Sequence, residues 1–341
     1  MKNKNDFEEI IQGIENKSIK HLSKAITISE SKKKVDSKLN EQIIDYFYKK
    51  IYKSNNKYNH NCKKIGITGA PGVGKSTFIE TFGLSLCEKG HKVAVLAIDP
   101  SSSLTKGSIL GDKTRMYELS IHENSFIRPS PTSGTLGGVN AKTREAILLC
   151  EAAGFDYIII ETVGVGQSEI EVRDLTDFFI LLVLPNGGDD LQGIKKGIVE
   201  MSDLILINKA DGANLNQAKL TLSEYSSILS MLKNTESNWN RKINKCSALE
   251  KNNFDYIFAT IDEYYQDSNI INYLNKMQNR HYLEWARAIY LNKLIDNANE
   301  FWDKNINLID NSNLSENSYK SNTTTPIQLS NIVIELYLKD K

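Results

Sequence analysis

Residues 69–77 read GAPGVGKST; a short apolar run, Lys64–Thr68, leads into them and a stretch of good helix formers follows. The pattern G-x-x-x-x-G-K-[ST] is complete, with Gly69, Gly74, Lys75 and Ser76 in place. Such a segment demands a strand that ends in a glycine-built turn and a helix that starts directly from it. Gly69, Gly72 and Gly74 let successive backbone N–H groups point at one anion. The helix N-terminus adds partial positive charge beneath that anion. Lys75 offers a mobile ammonium to β- and γ-phosphates, and the Ser76 hydroxyl can enter a Mg²⁺ shell. The stretch Gly69, Ala70, Pro71, Gly72, Val73, Gly74, Lys75, Ser76 and Thr77 is therefore expected to hold nucleotide phosphates. A chance glycine turn of this form arises in roughly one chain in a hundred of this length.

The surrounding pattern agrees. Strands are predicted at Lys64–Thr68, Lys92–Ile98, Tyr157–Glu161, Phe178–Leu184 and Leu204–Asn208. Helices are predicted at Lys75–Lys89, Lys142–Ala153, Leu191–Met201 and Gln217–Leu232. Nearly all-apolar strands alternating with helices imply an α/β fold: a mostly parallel sheet covered by helices on both faces. Residues 1–60 carry apolar residues at helical spacing (Ile10, Ile11, Ile14, then Ile43, Ile44, Tyr46, Phe47) and read as a helical extension. Residues 61–265 form the predicted phosphate-binding domain. Residues 266–341 read as a helical arm, with helices at Tyr282–Leu294 and Ile327–Leu338 around a polar loop at Asn311–Thr325.

Base recognition is expected at Asn208, Lys209, Ala210 and Asp211, which follow the fourth predicted strand after the phosphate turn. The Asp211 carboxylate can accept from both N1–H and the exocyclic amino group of guanine. Adenine lacks these donors, and an unmet buried acceptor costs on the order of 1–3 kcal/mol. Asn208 and Lys209 would brace the loop and stack on the base. Ser247, Ala248 and Leu249 are suited to closing over the base with backbone N–H groups, although a plain loop explains that tripeptide as well.

Acids stand at the ends of two strands. Asp99 ends the second, and Asp112 lies beyond it in PSSSLTKGSILGDKTRM. Glu161 ends the third and is read as the holder of the Mg²⁺ water shell, with Gly164 as the amide that meets the γ-phosphate. A turn cap at Asp99 and a solvated loop acid at Asp112 are the plainer readings. Phosphoryl transfer asks mainly for positioning and charge, so a water-orienting residue is expected. Gln167 is the candidate, three residues after Gly164. A third loop, GGDDLQGIKKG, carries Gly187, Gly188, Gly193 and Gly197 with Asp189, Asp190, Lys195 and Lys196 as switchable charges. A helix N-terminus with a charged face is the alternative there. Lys75, Gln167 and Lys195 are the catalytic candidates, and slow unassisted turnover is expected.

Composition closes other doors. Acidic and basic residues number 42 each, so no global field favours nucleic acid or an anionic membrane. The N-terminus mixes acids with lysines and lacks a secretory apolar stretch, no run approaches the roughly 18 apolar residues that span a bilayer, and a cytoplasmic protein is expected. Cys62, Cys87, Cys150 and Cys246 form no CxxC pair, which favours reduced structural thiols over disulfides or zinc.

Taken together, GAPGVGKST, AIDPSSSLTKGSILGDKTRM, SGTLGGVNAKTREAILLCEAAGFDYIIIETVGVGQSE, GDDLQGIKKGIVEMSDLILINKADG and SAL, in this order, resemble the MeaB/ArgK family of GTPases. These are associated with adenosylcobalamin-dependent methylmalonyl-CoA mutase. The resemblance is close over residues 62–250 and looser at 20–31 and 323–336. It implies a SIMIBI-class G domain in a homodimer whose C-terminal arm joins the interface. It also implies GTP hydrolysis with Mg²⁺, metal-site roles for Ser76, Asp99, Asp112 and Glu161, and a partner-responsive switch at Gly187–Gly197. The implied work is gating cofactor loading onto an acyl-CoA mutase, or protecting or reactivating it, with the mutase stimulating hydrolysis. Asp190 stands where the family usually has Glu, and EKNNFDYIF replaces the usual glycine-rich continuation after Leu249. A small-molecule kinase and a nickel-delivery GTPase are the alternatives. The first would move labelled phosphate to an acceptor; the second would bind nickel tightly, which dispersed histidines disfavour.

Overall fold

The computed structural model describes residues 2–31, 33–53, 62–99, 115–131, 138–162, 168–186, 196–232, 237–312 and 326–339. The chain divides into two compact units, Met1–Tyr282 and Leu283–Lys341.

The first unit is built on seven strands: β1 (Lys63–Gly69), β2 (Val93–Asp99), β3 (Ser125–Pro131), β4 (Tyr157–Thr162), β5 (Phe178–Val183), β6 (Leu204–Ile207) and β7 (Lys242–Lys245). They lie in the order β3-β2-β4-β1-β5-β6-β7, and every ladder is parallel. All residues of β4, β5 and β6 are buried, as a sheet covered on both faces requires. Two strands were not legible in the sequence, and both are sheet edges. β3 (SFIRPSP) carries two prolines and β7 (KINK) two lysines, residues that edge strands tolerate and central strands do not. Because β3 intervenes, Asn208 follows the fifth strand after the phosphate turn rather than the fourth.

Helices cover the sheet. α1 (Lys2–Glu15), α2 (Ile19–Glu30) and α3 (Lys34–Tyr48) pack on one another and on α6 (Gly138–Ala152); α5 is the short Tyr117–Ile121. Ile10, Ile14, Leu22, Ile26, Ile43 and Phe47 are fully buried there. Tyr46 faces outward instead, its hydroxyl donating to Glu15. Polar ties complete this contact. Asn40 donates to Glu145 at 2.9 Å, and buried Glu151 takes both the Tyr52 hydroxyl and the Lys64 ammonium, the latter at 3.1 Å. α4 (Lys75–Glu88) stacks Phe78 on Phe254 and Phe82 on Phe258, joining it to α10 (Phe254–Gln266) with centroids 5.4 and 5.3 Å apart. Burial of Phe78, Phe82 and Phe254 stabilises the fold by about 1.5–3 kcal/mol each.

The rest of the covering is α7 (Ser168–Arg173), α8 (Lys196–Met201) and α9 (Leu215–Met231), with α11 (Ser268–Ser312) continuing from α10. Ile270 and Leu274, in the first turns of α11, are buried in the core of the first unit. The second unit contains the remainder of α11 and α12 (Pro326–Lys339), with Phe301 edge-on to Tyr337 at 5.3 Å. Leu283, Tyr290, Leu291, Ile295 and Trp302 are exposed along its α11 segment. Most of the predicted polar loop, 313–325, lies outside the described residues. All four cysteines are free and buried, and burial pushes the Cys87 thiol up to about 11 and Cys246 to about 12. Among the described residues no helix is long and apolar enough to cross a membrane.

Candidate functional site

β1 lies between β4 and β5, so the chain winds away from it in both directions and leaves a crevice at the carboxyl ends of the strands. The glycine turn opens into that crevice. Gly69 has φ +155°, and a Cβ there would fall 2.5 Å from the Leu182 carbonyl oxygen. Gly74 has φ +93° as the N-cap of α4, and a Cβ there would fall 2.9 Å from Asn208 Nδ2. Side chains are excluded at both positions by conformation and by space. Lys75 Nζ donates to the carbonyls of Gly69 at 2.7 Å and Ala70 at 3.3 Å. Burial pushes its pKa below the ordinary lysine value, and the charges of Glu161 and Glu169 oppose that shift.

The NKAD tetrapeptide and the turn at Ser247 converge on the same place. Asn208 is buried; its Nδ2 donates to Val73 O at 2.8 Å and its Oδ1 accepts from Ala248 N at 3.2 Å. Lys209, with φ +57°, reaches over the glycine turn and donates to Gly72 O at 2.7 Å. The Asp211 carboxylate accepts from the Ser247 hydroxyl, which in turn accepts from Glu250 N at 3.1 Å. Thr81 of α4 donates to Ala248 O at 2.9 Å. Phosphate turn and predicted base loop are thereby one hydrogen-bonded body.

The turn after Leu249 answers the departure seen in its sequence. Asn252 N donates back to Ser247 O at 2.9 Å, and Lys251 and Asn253 take left-handed conformations with φ +53° and +69°. Asparagine adopts that region readily and lysine less so, which is how the loop turns without glycine. Leu249 is 80% exposed at its tip.

On the other side of β1, Glu161 lies in β4, and the Ser76 hydroxyl is 3.4 Å from its Oε1. Thr162 donates to Thr68 at 2.9 Å, fixing β4 to β1 one residue nearer the carboxyl ends. A hydroxyl and a carboxylate so placed suit Mg²⁺, which takes few protein oxygens and fills its shell with water and phosphate. Among the described residues there is no group of three or more His, Cys, Asp or Glu able to hold a metal by themselves. The backbone of Asp99 ends β2, one residue past the pairing of Ile98 with Thr162, so it reaches the same rim; its side chain lies outside the described residues. Asp112, Gly164, Gln167, Lys195 and the loop 187–195 also lie outside them. Glu169, in α7, was not singled out from the sequence; it is buried, and Lys75 feels its charge.

An all-parallel sheet with this glycine turn at the reversal point of its strand order defines a P-loop nucleoside triphosphatase fold. The family described as Methylmalonyl Co-A mutase-associated GTPase MeaB matches residues 22–302. GTPase ArgK of Escherichia coli K12 is 44% identical over 285 residues, 83% of this chain and 84% of that protein. A probable GTPase of Mycobacterium tuberculosis H37Rv is 53% identical over 206 residues, 60% of this chain and 61% of its own length. The mitochondrial Methylmalonic aciduria type A homolog of Mus musculus is 53% identical over 201 residues, 59% of this chain and 48% of its own. The match thus spans less than two thirds of the mycobacterial and mouse proteins. A crystal structure of an LAO/AO transport system kinase aligns over 97% of both chains with a TM-score of 0.68 and 32% identity. The chain belongs to the MeaB family of GTPases.

Proposed function

We propose that this GTPase gates adenosylcobalamin loading onto a methylmalonyl-CoA-type mutase, or protects or reactivates that enzyme, through a nucleotide-driven switch. The observation that carries the nucleotide part is the Asn208 brace, which ties Val73 of the phosphate turn to Ala248 of the base loop. The partner is inferred from the family description and from the name of the mouse relative. In this reading Asp211, held by Ser247, accepts from the two guanine donors while Ala248 and Leu249 close over the base. Lys209 lays its aliphatic stem along the base. The amides of residues 70–77 and the Lys75 ammonium hold the phosphates.

Ser76 and Glu161, with Asp99 and Asp112, would hold Mg²⁺, which neutralises charge on the β- and γ-phosphates when bound. Gly164 would meet the γ-phosphate and Gln167 orient the attacking water. Lys195 and the loop around it would answer the partner. In this reading turnover alone is slow and the mutase raises it by completing the placement of the water. A homodimer through the C-terminal arm is consistent with the exposed Leu283, Tyr290, Leu291 and Ile295 of the second unit. The protein acts in the compartment that holds the mutase, and the cytoplasm is the location we propose.

The test is GTP turnover with and without the candidate mutase, together with gel filtration of the mixture. Stimulated release of free phosphate and a co-eluting complex support the reading. No stimulation and no complex discard the mutase assignment, and label transferred to a small acceptor would favour a kinase instead.

A further inference from the structure

Glu169 is the second residue of α7, which packs on β4 and β1, the strands that present Glu161 and the glycine turn. Its side chain is buried, with the residue only 5% exposed, and its Oε2 has no hydrogen-bond partner among the described residues. Burying a carboxylate oxygen without a donor is costly, and a fold that keeps one there is short of a donor. Lys75, whose charge Glu169 feels, spends its ammonium on the carbonyls of Gly69 and Ala70, and Ser76 turns toward Glu161. Two acids, Glu161 and Glu169, act on the single ammonium of Lys75. This corner therefore repels a bare polyphosphate and welcomes one that brings a cation.

We propose that Glu169 is a positioning residue for the metal–nucleotide complex, its free oxygen accepting a hydrogen bond from a water in the shell of the Mg²⁺ held by Ser76 and Glu161. The inference rests on the reading of this crevice as a GTP·Mg²⁺ site. Mg²⁺ keeps several of its waters in proteins, and carboxylates that orient such ligands act without touching the metal. Nothing in the family resemblance assigns Glu169 a role.

The test is calorimetric titration of the full-length protein with GDP, in excess EDTA and in saturating Mg²⁺, for wild type and Glu169→Gln. The variant is expected to lose about tenfold or more of the affinity gained from Mg²⁺, the usual scale for an outer-shell partner. Metal-free affinity should hold or tighten, because a negative charge beside the phosphates is gone. The melting temperature of the nucleotide-free variant should hold or rise, since Oε2 has no bond to lose among the described residues. An unchanged Mg²⁺ dependence overturns the proposal. So does a parallel loss in both conditions, or a variant that fails to fold, since either makes the carboxylate a structural element. A wild type that binds no GDP in either condition rejects the nucleotide site itself, which is a separate failure.

Discussion

Replacing Asn208 with alanine probes the join between the two halves of the site. The amide makes two bonds of consequence, to Val73 O at 2.8 Å and from Ala248 N at 3.2 Å. Val73 is 0% and Ala248 4% exposed, so neither end faces bulk water that could take the place of the amide. Each orphaned group costs about 1–3 kcal/mol, and the two together should remove roughly 2–6 kcal/mol of stability. Guanidinium denaturation of the nucleotide-free protein would show this as a lower midpoint with an unchanged slope. Affinity for GTP and GDP should fall together, because the phosphate turn and base loop lose their common anchor. Lys209→Ala is the comparison: its bond to Gly72 O is exposed, and its loss should cost only about 0.5 kcal/mol of stability. An Asn208→Ala protein within about 0.5 kcal/mol of wild type would refute the idea that the brace organises the site.

Three further outcomes follow from the same geometry. Lys75→Ala should abolish nucleotide binding measured by calorimetry while leaving the circular dichroism of the sheet intact, since among the described residues its ammonium donates to turn carbonyls alone. Asp211→Asn should weaken GTP and turn preference toward xanthine nucleotides; retained tight selection for GTP would remove Asp211 from base recognition. His281, on α11, has its pKa pushed down to about 3 by burial, with positive neighbours Arg144, Lys64, Arg173 and Arg280 adding to the effect. Its folded pKa thus lies below the unfolded value near 6.5, so the fold refuses a proton that the unfolded chain accepts, and stability should decline as pH drops from 6.5 toward 3. His281→Gln should flatten that decline in melting curves between pH 6.5 and 4, and parallel curves would exclude the imidazole as its source.

The central strands could be read from residues alone because a parallel sheet covered on both faces leaves no exposed position in β4, β5 or β6, so their runs are nearly all apolar. β3 and β7 could not, because an edge strand needs neither apolar alternation nor every N–H, and Pro129, Pro131, Lys242 and Lys245 read as loop. The 45-residue length of α11 was also hidden, since its asparagines and charges give no continuous apolar stripe to follow. The phosphate turn was plain because each glycine answers a backbone demand, shown at Gly69 and Gly74 by the atoms a Cβ would strike. Glu169 was not, because an acid in a short polar stretch looks solvated until strands and a helix close around it. The left-handed turn at Lys251 and Asn253 was likewise invisible, as neither residue announces a positive φ in the way glycine does.

The crevice at the head of β1 and β6 should bind guanine nucleotides selectively. Calorimetric titration of the purified chain in Mg²⁺ with GDP, GTP, ADP and ATP measures it. Saturable heat from both guanine nucleotides, with adenine nucleotides at least about a hundredfold weaker, is the predicted result. Equal binding of all four, or none from guanine nucleotides, would contradict it.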